Sequence, residues 1–305
     1  MAEDINRTTS ITLPTEVSSE ILQKTQDASA IMRLSQQISL PGRGVTIPVI
    51  TGDPTAAWVD ETDPKPVSKA QLGTKVMTPY KLAVIEPFSN EFKRDAAALY
   101  DALVDRLPGS LASMFDKTVI GAVNKPGNNF DNFANCTAQS ILNANNGTYL
   151  GLVAADTDIS THGGLLNGFA LSAQARGLLL TAVDGQNRPL FLASANDGVV
   201  DKLLGVPAYF NRGLYKAGTA ATQGTSGVPA VVGIAGDWTK AMYGTVEGVQ
   251  IKISDQATLT YTDSQNQTVT LNLWQRNMFA VMAEIEIGFR ADTDCFDLLT
   301  GAIPT

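Results

Sequence analysis

The sequence predicts an α+β fold, and three observations carry that prediction. From Ser89 to Val123 the residues Phe92, Ala96, Leu99, Leu103, Leu107, Leu111 and Met114 recur at helical spacing, which makes one face of a long helix apolar. β-Branched, alternating sequence is confined elsewhere, to residues 41–86 and to residues 248–290. No internal repeat and no linker separates these regions into independent domains.

Composition sets the outer bounds. With 305 residues, 44% hydrophobic and 17% charged, the chain has the makeup of a folded protein with a large core. Its 22 basic and 30 acidic residues give a net charge of −8 without any basic cluster, which argues against a surface that grips phosphate backbones. No apolar run approaches the ~20 residues of a membrane-spanning helix, and residues 1–10 lack a signal-peptide core. Cys136 and Cys295 have no CxxC or Cys/His metal spacing and read as plain thiols.

In chain order, residues 1–40 are polar, with one amphipathic segment over residues 16–34 carrying Val17, Ile21, Leu22, Ala28, Ile31 and Leu34. The segment is expected to lie as a helix on something else, and the residues before it form an arm that orders against a neighbour. Residues 41–86 read as a long β-excursion: Val45 to Ile50 is β-branched, Thr51-Gly52-Asp53-Pro54 is turn chemistry, and residues 73–79 alternate. Its middle, from Trp58 to Pro66, is charged and studded with proline, which disfavours a central strand and favours an exposed, stiff tip. An aromatic on such a tip usually docks somewhere, although a surface loop with Trp58 tucked into its own core fits the same residues.

The long helix follows, with Ser89 or Asn90 as its cap, Glu91 and Asp95 in its first turn, and Gly121, Pro126 and Gly127 closing it. At ~1.5 Å per residue it spans roughly 50 Å. Pro108 beside Gly109 should bend or break it, and two shorter helices joined at Leu107-Pro108-Gly109-Ser110 are equally consistent with the local chemistry. Residues 125–168 read as loops, residues 169–180 as a helix ended by Asp184 to Pro189, and residues 190–192 as a short strand. A strand over residues 230–234 and a long strand pair from residues 248–254 and 268–290 complete the reading.

A coherent catalytic set is missing. His162 is the single histidine, the Gly-x-Ser-x-Gly elbow is absent, and no phosphate loop or dinucleotide fingerprint occurs. Asp156-Thr157-Asp158-Ile159-Ser160 starts like a calcium loop but has Thr161 where glycine belongs and Asn167 where the glutamate belongs, so it reads as a solvated acidic turn. Asp60, Glu61 and Asp63 lie on the stiff tip rather than in a cleft. No cofactor, no metal and no enzymatic activity is expected. A rod, a hairpin and a polar arm suit contacts between subunits.

The order of pieces resembles the major capsid proteins of tailed double-stranded-DNA phages, those with the Hong Kong phage capsid fold. The resemblance rests on Ala57-Trp58-Val59, Glu61, Lys65-Pro66 and Ser68 in the hairpin, then Lys81-Leu82-Ala83 and Ser89 with Glu91. It continues through Asp184-Gly185, Arg188-Pro189-Leu190, Leu204-Gly205, Pro207, Gly236-Asp237-Trp238 and Trp274-Gln275-Arg276. It implies an N-terminal arm (1–40), an extended loop (41–86), a peripheral domain with a spine helix (87–127 and 240–290) and an axial domain (128–239 and 291–305). The function it implies is a structural subunit forming hexamers and pentamers of an icosahedral shell around phage double-stranded DNA. Implied partners are a portal protein and a separate scaffold or decoration protein, with no membrane; assembly takes place in the host cytoplasm and the product is the virion. Trp58, Glu61, Lys65 and Lys69 of the loop and Ile21 and Ile31 of the first segment are the contact residues expected between subunits. Lys65, Lys69, Lys75, Asn272 and Asn277 are of the types joined by the family's covalent crosslink, but no catalytic glutamate can be matched. The alternative within the fold is an encapsulin-like bacterial compartment, and outside it a soluble hydrolase using Asp60, Glu61 or His162.

Overall fold

The computed structural model describes residues 15–52, 58–59, 71–91, 96–142, 147–184, 186, 188–191, 202–222, 224–263 and 265–303. Helix α1 (Thr15–Ala28) and the short α2 (Ala30–Leu34) are separated at Ser29, whose hydroxyl accepts the Met32 N–H at 3.1 Å and starts the second helix. The amphipathic segment is helical as expected, with this cap dividing it. Strand β1 (Gln36–Ser39) follows, then β2 (Val45–Gly52) and β3 (Gln71–Met77), an antiparallel pair with Val45 opposite Met77.

Next comes β4 (Tyr80–Ser89), so Ser89 ends a strand instead of capping the long helix. Period-two alternation wins here over the cap signal, because Phe88 stacks on Phe279 with ring centroids 5.7 Å apart, while Asn90 N–H donates to Asn277 O at 3.1 Å. Residues 92–95 lie outside the described residues. Helix α3 (Ala96–Val119) then runs through Pro108 without a break. Proline costs a helix interior about 3 kcal/mol. Burial of Leu107 and Leu111 against Ile21, Phe279 and Val281 offsets it, so tertiary packing decides in favour of one rod.

Downstream are β5 (Ala138–Ser140), α4 (Thr148–Thr161), β6 (Gly168–Leu171), α5 (Ala173–Leu180), β7 (Lys202–Leu203), β8 (Val206–Phe210) and β9 (Val231–Gly236). Three expectations are corrected here. Residues 156–160 lie inside α4 rather than in a turn, because Ala155 and Ile159 are buried on the helix and the Thr157 and Thr161 hydroxyls bond back to Val153 O and Thr157 O. Phe169 belongs to a strand, and the helix starts after Ser172, whose hydroxyl accepts the Ala175 N–H at 3.2 Å. Leu190 forms no strand, only a backbone bond to Ala182 O beside the isolated Val183–Pro189 bridge.

The last elements are β10 (Ala241–Thr245), β11 (Gln250–Ser254), β12 (Thr258–Thr262), β13 (Thr268–Asn272), β14 (Met278–Ala291) and β15 (Phe296–Thr300). The long strand expected over residues 268–290 is therefore two strands. Asn277, at φ 53°, turns the chain between them, and β13 pairs with β12 as a separate hairpin.

Two larger sheets organise the body. In the first, β14 pairs with β4 along one edge and with β10 and β11 end to end along the other, and β1 adds in parallel to β10. The β-excursion thus closes at Met77, since β4 is part of this sheet. In the second the order is β5-β15-β9-β6-β8-β7, packed with Leu152, Ala155 and Ile159 of α4 and Ala175 and Leu179 of α5. Among the described elements the chain crosses between the sheets three times, from β4 through α3 to β5, from β9 to β10 and from β14 to β15. An aromatic cluster fills that junction: Phe133 stacks on Phe296 at 4.5 Å, and Trp238 meets Phe296 edge-on at 5.1 Å. Gly236 is obligatory there, because a Cβ would stand 2.0 Å from the Phe296 ring.

Candidate assembly surfaces

The hairpin β2–β3 is held at its base by a partly buried polar knot. Arg290 of β14 is 11% exposed; its guanidinium donates to Asp131 Oδ1 at 2.7 Å, to Asn129 Oδ1 at 3.1 Å and to Val76 O of β3. Lys75, also on β3, donates to Ala291 O at 2.8 Å and lies 3.8 Å from Asp131. Tyr80 OH accepts the Asn129 N–H at 3.3 Å, closing the knot. A rigid base therefore carries the β2–β3 pair, and Trp58 belongs to the chain that links these two strands.

Trp58 itself stands wholly in solvent, with a relative exposure of 105%. Burying such a side chain is worth on the order of 2–3 kcal/mol, so an indole in water is apolar surface left over by the fold. A second exposed indole, Trp274 at 76%, sits on the turn between β13 and β14. Ile85 on β4, Tyr261 on β12, and Leu150 and Leu165 beside the second sheet are also exposed. The alternative in which Trp58 tucks into its own core is excluded by its position.

The other expected contact residues divide. Glu61, Lys65 and Lys69 lie outside the described residues. Ile21 and Ile31 are corrected: each is wholly buried in its own chain, Ile21 against Leu107, Leu111 and Phe279, Ile31 beside Phe115 and Trp238, which leaves neither any surface for a neighbour. Sequence reasoning had no means to choose between covering one's own long helix and covering another copy. It also missed Arg290, Asp131 and Asp116; the one signal was an acid, Asp116, on the apolar stripe that contains Ala112, Phe115 and Val119.

The titratable groups form no reaction centre among the described residues. The His162 ring Nδ1 lies 2.9 Å from Asp158 O, one turn back on its own helix, while Cys295 Sγ meets the carbonyl of His162 and not its ring. Burial pushes the Cys136 thiol up to about 12, away from the thiolate that chemistry needs. Burial also raises the Cys295 thiol, against the pull of Lys240, whose Nζ lies 3.2 Å from the sulfur. On the exposed edge, Glu284 at 2.8 Å and Glu286 at 3.4 Å hold the Lys81 ammonium above its ordinary value. No cluster of three His, Cys, Asp or Glu fit for a metal ion occurs among the described residues, nor any helix long and apolar enough to cross a membrane.

Comparison with known proteins adds the family. The sequence is 27% identical to the "Probable major capsid protein gp17" of Mycobacterium phage L5, over 96% of this chain and 90% of that one. It is also 27% identical to the major capsid protein of Staphylococcus phage 80alpha, over 95% and 85%. Among solved structures, that of Gordonia phage Cozz superposes with a TM-score of 0.66 at 21% identity, covering 90% of this chain and 87% of the other. The structure from Mycobacterium phage Bobi gives a TM-score of 0.65 at 18% identity, covering 100% and 95%. Identities this low speak for the fold alone. The phage capsid family as a whole matches residues 9–284, and on that span the chain belongs to the phage capsid family, the structural proteins of phage virions rather than enzymes.

Proposed function

We propose that the protein is a major capsid protein whose copies form the hexamers and pentamers of an icosahedral shell around double-stranded DNA. The observation that carries this reading is the wholly exposed Trp58 on a hairpin whose base is fixed by Arg290 and Asp131. A stiff extension with an apolar end does nothing for its own subunit and gives a neighbour a place to grip. In this reading the β2–β3 hairpin is the family's extended loop, α3 its spine helix, the first sheet its peripheral domain and the second sheet its axial domain. The residues before α1 are the arm. In this reading a portal protein completes the particle, and assembly is controlled either by a separate scaffold protein or by the shell protein itself.

The net charge of −8 fits a wall that encloses DNA without adhering to it, since it supplies no basic stripe for phosphates. Electron microscopy and sedimentation of the purified protein test the proposal. Closed shells with five- and six-membered rings are the expected result. A chain that stays monomeric under every salt and pH condition preserving its fold overturns it.

A further inference from the structure

We propose that Asp116 is a proton-operated latch that holds the N-terminal helix pair α1–α2 to the long helix α3 and to the exit of strand β8. The geometry is that of a clasp. Asp116 on α3 has no exposed surface; its Oδ1 accepts from the Ser29 hydroxyl at 2.6 Å, and its Oδ2 accepts from Ala30 N–H at 3.3 Å and from the Asn211 side-chain amide. That same amide donates to Ala28 O at 2.8 Å, and the backbone N–H of Asn211 donates to Leu171 O at 2.9 Å. One carboxyl therefore joins the end of α1, the start of α2, the long helix and a loop anchored on β6.

All of its partners are neutral. The charged side chains described on the packed elements include Glu20 and Lys24, which pair with each other, Asp27, Arg33, whose guanidinium lies 4.3 Å over the Tyr209 ring, Arg106, which pairs with Glu86, Lys117 and Arg212. Among the described residues none forms an ion pair with Asp116. A buried carboxylate without a cation is unfavourable, and only hydrogen bonds oppose that cost. Burial accordingly pushes the group up to about 7, against the pull of Ser29, Ala30 and Asn211. At 2.6 Å the contact with Ser29 serves with the proton on either oxygen, so the closed clasp accommodates the neutral acid.

The sign follows from linkage. In the closed state the proton leaves at about pH 7, whereas Asp116 reached by water in the opened state ionises in the ordinary carboxylate range. Opening thus releases one proton to solvent. Acid holds α1–α2 closed, and rising pH favours release until the closed state has itself ionised. The helix pair covers Leu107, Leu111 and Phe115 of α3, so its release exposes a new apolar face on the subunit.

The test is hydrogen exchange of the full-length chain over residues 15–34 between pH 4.5 and 8.5, corrected for the intrinsic exchange rate. The expected result is an opening equilibrium that rises up to about tenfold per pH unit and levels off near pH 7. Asp116→Asn should remove that rise from residues 15–34 and leave the exchange of β12 and β13 as it was. An unchanged pH profile in Asp116→Asn, or a wild-type opening that is flat or falls with pH, overturns the latch. Should Asp116→Asn fail to fold, Asn211→Ala is read instead. Loss of one donor to the carboxylate moves the levelling-off to higher pH, and a profile identical to wild type overturns the proposal.

Discussion

Arg290 shows how much of this protein rests on single polar residues. It and its partner Asp131 are both largely buried and stand 159 residues apart in sequence. Removing one member of such a pair leaves the other charge desolvated. Arg290→Ala should therefore lower stability by about 2–4 kcal/mol, read from the urea midpoint, and loosen β3 in hydrogen exchange. An unchanged midpoint means that Lys75 alone satisfies Asp131. Asp297 on β15 makes the opposite case. It is buried, neither carboxyl oxygen meets a donor at hydrogen-bonding geometry, and burial, aided by the nearby Asp158, pushes it up to about 7. A carboxyl raised in the folded state contributes stability that is full below its unfolded value and lost as pH rises through about 7. Asp297→Asn, which cannot ionise, should thus gain in melting temperature over wild type between pH 4 and pH 8; a constant difference across that range contradicts the assignment. Neither residue was legible beforehand, because a pair so distant in sequence leaves no spacing to read and a lone aspartate resembles any surface acid.

At the scale of elements, periodicity was read well and boundaries poorly. The long helix, the excursion over β2 and β3, and strand β9 announced themselves through spacing that the core requires. Helix α4 did not, since Gly147 precedes it and asparagine and glycine surround it, and only its packing on β15 makes it a helix. The alternative of two shorter helices parted at Pro108 does not hold, since local chemistry at Pro108 and Gly109 is outweighed by contacts with α1 and the first sheet and α3 is continuous. That leaves a correctable weakness. A Cβ added at Gly109 meets nothing within 4 Å, and Gly109 lies inside the helix at ordinary φ. Gly109→Ala should stabilise the subunit by about 0.5–1 kcal/mol, raising its thermal midpoint, by reducing the entropy of the unfolded chain. A lower midpoint means that α3 needs glycine flexibility beside its proline.

For the whole molecule the decisive surface is the one that its own fold leaves uncovered. The sequence pointed to Trp58 because a charged, proline-stiffened tip gives an indole no core to enter, and the structure places its ring in solvent at 105% exposure. Contacts made by Glu61, Lys65 and Lys69 were equally suggested, but no single-chain feature ranks them. An indole buried at an interface is typically a hot spot, so Trp58→Ala should cost ~2 kcal/mol or more per contact, repeated over every copy in a shell. Within the subunit the same change removes nothing packed, since the cores around Trp238 and Phe279 lie elsewhere. The variant should therefore express in soluble form, keep native circular dichroism and the wild-type melting temperature as a free subunit, and yet yield no shells or shells that fall apart at lower heat or denaturant. Unfolding of the free subunit would show that Trp58 packs inside its own chain in solution. Shells of undiminished stability would show instead that neighbours are held by another exposed surface, with Trp274, on the turn between β13 and β14, the next residue to change.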